Sequence, residues 1–190
     1  MIDPITSTSN PRIKQIRSLL ANRKDRRHER LFVIEGIRLV EEALRTGSAL
    51  RTVIYDAEHL GATPRGQALL EQIEDQAGAY PATAEIIAAT TDTVTPQGIV
   101  AVAAWPELRS TRTGIQLVLD AVQDPGNVGT LLRTAEATGV TDVLCMRGTA
   151  DVYSPKVVRA AMGAHFRLPL QQDLRWDELE IALGPADNIY

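Results

Sequence analysis

The stretch from Ile115 to Gly139 constrains this chain more than any other. An apolar run, Ile115 to Ala121, reads as a buried strand. A polar loop containing Pro125 and Gly126 follows, then a helical pattern from Asn127 to Thr138 closed by Gly139. Val143-Leu144-Cys145-Met146 is the next strand. A strand that feeds through a short loop into a helix, and then into another strand, is the unit of a layered α/β sheet. Ligands bind such sheets at the carboxyl ends of the strands, where the loop Asp120–Gly126 lies.

The pattern continues to the end of the chain. Lys156 to Met162 reads as a short helix, Phe166 to Leu170 as extended chain, and Trp176 to Leu183 as a helix. Asn188-Ile189-Tyr190 reads as the opening of a further strand. A parallel strand needs neighbours, so the expectation is a sequence belonging to a longer protein. The segment in front of Ile115 is a separate small α/β layer over residues 1–105. Asn10-Pro11 opens a helix, since Asn caps and Pro fits the first helical position. Its apolar stripe is Ile13, Ile16, Leu19 and Leu20. Strands are expected at Leu31–Ile34, Val53–Tyr55 and Ile99–Ala103, and helices at Gly36–Arg45 and around Leu69, Leu70 and Ile73. Residues 106–114 are polar and aperiodic, and read as a linker.

Several function classes drop out. No apolar run is long enough to cross a bilayer, and Met1-Ile2-Asp3-Pro4 does not open a secretory signal. The single cysteine, Cys145, excludes an internal disulfide and sits in an apolar strand. A cytoplasmic location with no membrane partner is the expectation. His28, His59 and His165 are scattered, so no metal site is expected. The loop has neither the Gly-Lys-Ser/Thr of a phosphate-binding loop nor the glycine spacing of a dinucleotide fold.

Net charge is −4, but its distribution is uneven. Arg12, Lys14, Arg17, Arg23, Lys24, Arg26, Arg27 and Arg30 face only Asp25 and Glu29 over the same stretch. That cluster is either a phosphate-binding face or a solvated helix surface. Read singly, Asn127 is a helix cap and Arg133 a surface ion-pair partner for Glu136 or Glu29. On an α-helix the two stand ~240° apart, so a shared site requires Asn127 in the loop or cap. Lys156 and Arg159, three residues apart, read as solvated helix residues or as an RNA-facing pair.

As a unit the residues say more. Asp120-Ala121-Val122-Gln123-Asp124-Pro125-Gly126-Asn127-Val128-Gly129, leading into a helix with Arg133, resembles motif 1 of the SpoU (TrmH-like) RNA 2′-O-ribose methyltransferases of the SPOUT superfamily. Tyr153 to Leu170 resembles their motif 2. Gly36–Ala43 and Thr95–Ala103 resemble the ribosomal-protein-like substrate-binding domain that precedes the catalytic domain in many members. The resemblance implies an RNA-binding domain at 1–105 and the front of a trefoil-knot methyltransferase domain at 115–190. It implies S-adenosylmethionine as methyl donor, ribosomal RNA as substrate and a homodimer through the catalytic domain. It makes Asn127 and Arg133 the catalytic pair, places Gly163 beside the donor, and turns the basic cluster (Arg12, Lys14, Arg23, Lys24, Arg26, Arg27, Arg30) into an RNA contact. Motif 3, which supplies much of the donor pocket in the family, would fall after Tyr190, so the expectation for these 190 residues alone is an incomplete domain without transferase activity. Two other readings stand beside this one. They are a non-catalytic RNA-binding protein with a degenerate methyltransferase fold, and a small-molecule enzyme using the Asp120–Gly139 loop for a nucleotide.

Overall fold

A computed structural model of the chain describes residues 3–74, 76, 78–91, 93, 95–110 and 114–183. The chain divides into two compact units, Met1–Trp105 and Pro106–Tyr190.

The first unit is built on a four-stranded sheet in the order β1-β4-β2-β3. Its strands are β1 (Leu31–Glu35), β2 (Leu50–Tyr55), β3 (Ala79–Pro81) and β4 (Ile99–Ala104). β4 runs antiparallel to β1 and β2, and β3 parallel to β2. All five positions of β4 from Ile99 to Ala103 are buried, as a central strand requires. Helix α1 (Pro11–Ala21) starts where expected, with the Asn10 side chain accepting from the Arg12 N–H at 2.9 Å. Its stripe packs on one sheet face: Ile13, Ile16 and Leu19 join Val33, Ile54, Val100 and Val102 in one apolar cluster, together with Ile86 and Ile87. Helices α3 (Ile37–Arg45), α4 (Ala57–Gly61), α5 (Pro64–Ile73) and α6 (Ala84–Ala89) complete the unit.

Between α1 and β1 lies a second helix, α2 (Arg23–Glu29), which divides the basic cluster. Arg26 is buried, and its guanidinium donates to the carbonyls of Leu19 and, at 3.2 Å, Leu20. It satisfies the carbonyls that the end of α1 leaves without helical partners, and places a cation at the negative end of that helix. The expectation that Arg26 faces RNA is therefore corrected. Arg12 is half-buried, stacked 3.8 Å above the Tyr80 ring and donating to its hydroxyl at 2.9 Å. That places Arg12 at the sheet end where β2 and β3 finish. Arg30 lies at the other end, where its carbonyl accepts from the Trp105 N–H next to the start of β1. Four to five strand residues, about 15 Å, separate those ends. The run Arg12–Arg30 thus spans the length of the sheet from one end to the other.

The second unit holds a three-stranded parallel sheet, β5-β6-β7. It comprises β5 (Gln116–Leu119), α7 (Pro125–Ala137), β6 (Asp142–Met146), α8 (Pro155–Ala161), a 3₁₀ turn (Ala164–Phe166), β7 (Leu170–Leu174) and α9 (Trp176–Leu183). β6 is central and buried along its whole length. α9 covers one face, its Leu179 and Ala182 packing on Leu144 and Met146. The extended chain expected at Phe166–Leu170 is instead the last residue of a 3₁₀ turn, an irregular connection over 167–169, and a strand that opens at Leu170. The strand expected at Asn188–Tyr190 lies outside the described residues. No helix among the described residues is long and apolar enough to cross a membrane.

Candidate active site

Two loops leave the carboxyl ends of β5 and β6 side by side. The Thr149 hydroxyl donates to the Leu119 carbonyl at 2.9 Å, and the Ala150 N–H donates to the Val122 carbonyl at 2.9 Å. These bonds lock the β5–α7 loop to the β6–α8 loop. The first loop turns through Ala121, a non-glycine residue with φ 52°. Gly148 of the second loop has φ 93°, and a Cβ there would lie 3.3 Å from the Ala121 methyl group. Close approach of the loops therefore needs a glycine at 148.

α7 begins two residues earlier than its apolar pattern suggests. Asp124, not Asn127, is the cap, and Pro125 takes the first helical position. The Asp124 carboxylate accepts from the Asn127 N–H at 2.8 Å. This bond fixes the first turn and leaves the Asn127 side chain exposed. Val128, Gly129, Leu132 and Ala135 form the buried side of α7, while Asn127, Thr130, Arg133, Thr134 and Ala137 are exposed. At ~100° per residue the exposed set covers one face about 120° wide, with Arg133 at one margin and Asn127 at the other. The two are about 9 Å apart along the axis. The structure thus puts both residues on one open face although Asn127 is neither loop nor cap.

Arg133 makes no ion pair among the described residues. Glu136, one of the partners the sequence offered, pairs with Arg167 at 3.4 Å. Gly129 sets the depth of the helix: a Cβ on it would collide with the Ala160 methyl group and stand 2.9 Å from the Val157 carbonyl oxygen. α7 and α8 therefore pack backbone to backbone, which holds the Asn127–Arg133 face in place.

Motif 2 contains α8 and the turn that follows it. Met162 and Gly163, at φ 53° and 97°, turn the chain sharply after α8. Gly163 is buried and has no side chain, so a ligand reaches it only through its backbone, a geometry that suits close approach. His165 follows, fully buried, with Nε2 2.6 Å from the Val152 carbonyl. A carbonyl only accepts, so Nε2 carries the hydrogen. Burial pushes the imidazole pKa down to about 4, despite the Val152 bond and the charge of Asp151, which both act to raise it. The ring is neutral and serves as a latch between the turn and the β6–α8 loop. Cys145 is inert by the same physics, its thiol pushed up to about 12 by burial and by the charge of Asp173. Lys156 is exposed and Arg159 half-buried on α8. No His/Cys/Asp/Glu cluster among the described residues could hold a metal ion.

Asp124 and His165 are the contributors the sequence reading passed over. Asp-Pro before a helix is the same capping signal that placed α1 correctly. Nothing in sequence distinguishes a latching histidine from a scattered one.

The geometry can be set against known proteins. Residues 114–186 match the SpoU rRNA Methylase family model, and residues 10–101 match the MRM3-like substrate binding domain. A crystal structure of an RNA 2′-O ribose methyltransferase superposes over 95% of this chain and 69% of its own, with a TM-score of 0.74 and 32% identity. The chain belongs to the SpoU family. Its α/β architecture, a substrate-binding unit in front of a SpoU methylase unit, is that of the SpoU structures it matches. A second SpoU-like structure, the AdoMet-bound rRNA methyltransferase of Sinorhizobium meliloti, gives a TM-score of 0.77 at 28% identity, over 96% of this chain and 70% of that one. Among curated relatives, the 23S rRNA (guanosine(2553)-2′-O)-methyltransferase RlmP of Bacillus subtilis is 36% identical over 87% of this chain. The chain spans 63% of the length of that relative.

Proposed function

We propose that the protein transfers a methyl group from S-adenosylmethionine to a ribose 2′-hydroxyl of ribosomal RNA. The front unit would bind the RNA and the SpoU unit would carry the chemistry. The observation that carries this reading is the exposed face of α7, bordered by Asn127 and by an Arg133 without an ion-pair partner among the described residues. The donor supplies an activated methyl carbon. The ribose oxygen forms the new C–O bond as the carbon–sulfur bond breaks, and the hydroxyl proton leaves to a base.

A guanidinium is not deprotonated in a protein, so Arg133 is not that base. Its work is to hold the neighbouring phosphate and to stabilise the charge that grows on the ribose oxygen. Asn127, whose side-chain amide has an NH₂ that donates and a carbonyl oxygen that accepts, orients groups at the other margin of the face. Gly163 would offer backbone to the donor. Exposed Lys14, Arg23, Lys24, Arg27 and Arg30 would contact phosphates in the front unit, with Arg26 excluded by its burial. The SpoU unit leaves Ile115, Met162, Trp176 and Ile181 exposed, which favours a homodimer formed through it. A cytoplasmic location accompanies this reading.

The test is tritium transfer from S-adenosylmethionine into ribosomal RNA by the intact protein. Arg133→Ala is expected to slow transfer by on the order of 10²–10³-fold while donor binding is retained, as for loss of one preorganised electrostatic donor. A near wild-type rate for Arg133→Ala would remove Arg133 from the mechanism.

A further inference from the structure

We propose that Arg167 is a positioning residue for this reaction, acting by holding the Glu136 carboxylate away from Arg133. The inference rests on the role given to Arg133 above. Glu136 stands three residues after Arg133 on α7, a spacing that brings two helix side chains to within about 5–6 Å at their Cβ atoms. An Arg and a Glu at that spacing are within reach of each other and attract. Here they do not pair: the Glu136 carboxylate is 3.4 Å from the Arg167 guanidinium, and the two side chains are 33% and 30% exposed. Arg133, at the edge of the open face, keeps its guanidinium for a ligand.

Arg167 is well placed to do this. It closes the 3₁₀ turn, its N–H donating to the Ala164 carbonyl at 3.1 Å, and the Phe166 N–H donates to the Gly163 carbonyl at 3.0 Å. The same turn is latched from below by His165 to Val152. The turn that carries Gly163 therefore also delivers the cation that neutralises Glu136. Without that cation, Glu136 would act against the reaction twice. It would compete with the RNA phosphate for Arg133, and its unneutralised charge would repel that phosphate across a partly screened gap.

The experiment compares methyl transfer into ribosomal RNA by the intact protein, Arg167→Met, Arg167→Lys, Glu136→Gln, and Arg167→Met combined with Glu136→Gln, with the melting temperature of each measured. An ion-pair competition on a half-exposed surface predicts a loss of about fivefold in kcat/KM for Arg167→Met, larger at low salt. Adding Glu136→Gln restores the rate to within about twofold, because the competitor is gone. Arg167→Lys keeps most of the activity, and Glu136→Gln alone costs less than Arg167→Met. Arg167→Gln repeats the cycle if methionine lowers the melting temperature. A combined variant as slow as Arg167→Met would overturn the proposal, since Arg167 would then act on the RNA or the fold directly. Wild-type activity in Arg167→Met would overturn it equally. An inactive Arg133→Ala beside a failed rescue leaves the catalytic reading standing and removes only this one. A fully active Arg133→Ala removes both.

Discussion

Lowering the pH below neutrality is expected to weaken the SpoU unit through His165. The ring is fully buried, and its pKa is pushed down to about 4 in the folded protein, against 6.5 for an ordinary imidazole. The unfolded chain takes up a proton as pH falls through 6.5, and the folded chain does not until about 4. Between those values the unfolded state binds more protons, so stability drops as pH drops. The contribution is complete above about pH 6.5, declines through pH 5 and is constant below about pH 4. At 1.36 kcal/mol for each pH unit of the gap, the whole effect is about 3 kcal/mol, and most of it is gone by pH 4.5. Against a domain stability of about 5–15 kcal/mol, that is a large fraction.

Carboxylates also titrate in this window, so the assay must isolate the histidine. Urea unfolding of wild type and His165→Gln at pH 7.5 and 4.5 does so. Glutamine keeps an N–H donor for the Val152 carbonyl and has no proton to gain. The variant is less stable than wild type at pH 7.5, because a tightly packed ring has been replaced. It loses about 2–3 kcal/mol less on acidification. In parallel, the His165 ring resonance in an NMR titration stays fixed from pH 8 to 5. Equal acid losses in the two proteins, or a ring that titrates near 6.5, would refute the reasoning.

Other consequences follow from packing and charge. Gly129→Val is expected to destabilise the protein by about 3 kcal/mol or more, because the new side chain meets the Ala160 methyl group and the Val157 carbonyl, neither of which is a flexible chain end. Thermal melting checks it, and an unchanged melting temperature would mean that α7 and α8 are not in backbone contact. Arg26→Met is expected to cost about 1–3 kcal/mol by leaving the end of α1 without its donor, with little change in the salt dependence of RNA binding. Changing Lys14, Lys24 and Arg27 together to Gln instead lowers RNA affinity and flattens its salt slope. Anisotropy titrations at several salt concentrations separate the two outcomes.

The sequence carried the strands and the long helices well, because apolar period and caps agree there. Asn10-Pro11, the Ile13–Leu19 stripe and the β4 run Ile99–Ala103 are all read directly. What it hid are elements with too few residues to show a period. α4 is five residues held by the Asp56 carboxylate, which accepts from the Glu58 and His59 N–H groups, and β3 is three residues ending in a proline. α2 is hidden for a different reason. Its sequence, Arg-Lys-Asp-Arg-Arg-His-Glu, has no apolar residue at all, so no amphipathic pattern exists to be seen. It is held by Arg26 reaching into α1 and by the left-handed Arg30 that ends it. One residue of a charge run thus does the work of a core residue, and charge counting alone cannot tell which.

The site shows the same division between what a motif names and what a fold must supply. Motif 1 named Asn127 and Arg133, but a spacing of six residues on a helix argued against a shared site. The conflict disappears once the width of the exposed face is known. Ligands of RNA size are read by faces, and two residues about 120° apart on one helix border such a face without pointing at each other. The buried side of α7 decides which residues those are: Val128, Leu132 and Ala135 face inward with Gly129 at the edge against α8, and Arg133, about 40° beyond Gly129, is the first residue of the open arc that ends at Asn127. Glu136 falls beside Gly129 at the edge of the buried side, half-buried, where the Arg167 cation from outside the helix reaches it. A helix turned by one residue would carry Gly129 and Arg133 together, either both outward, which opens the α7–α8 contact, or both inward, which buries the guanidinium. The chemistry at Arg133 is therefore set as much by a glycine that touches no substrate as by the arginine itself.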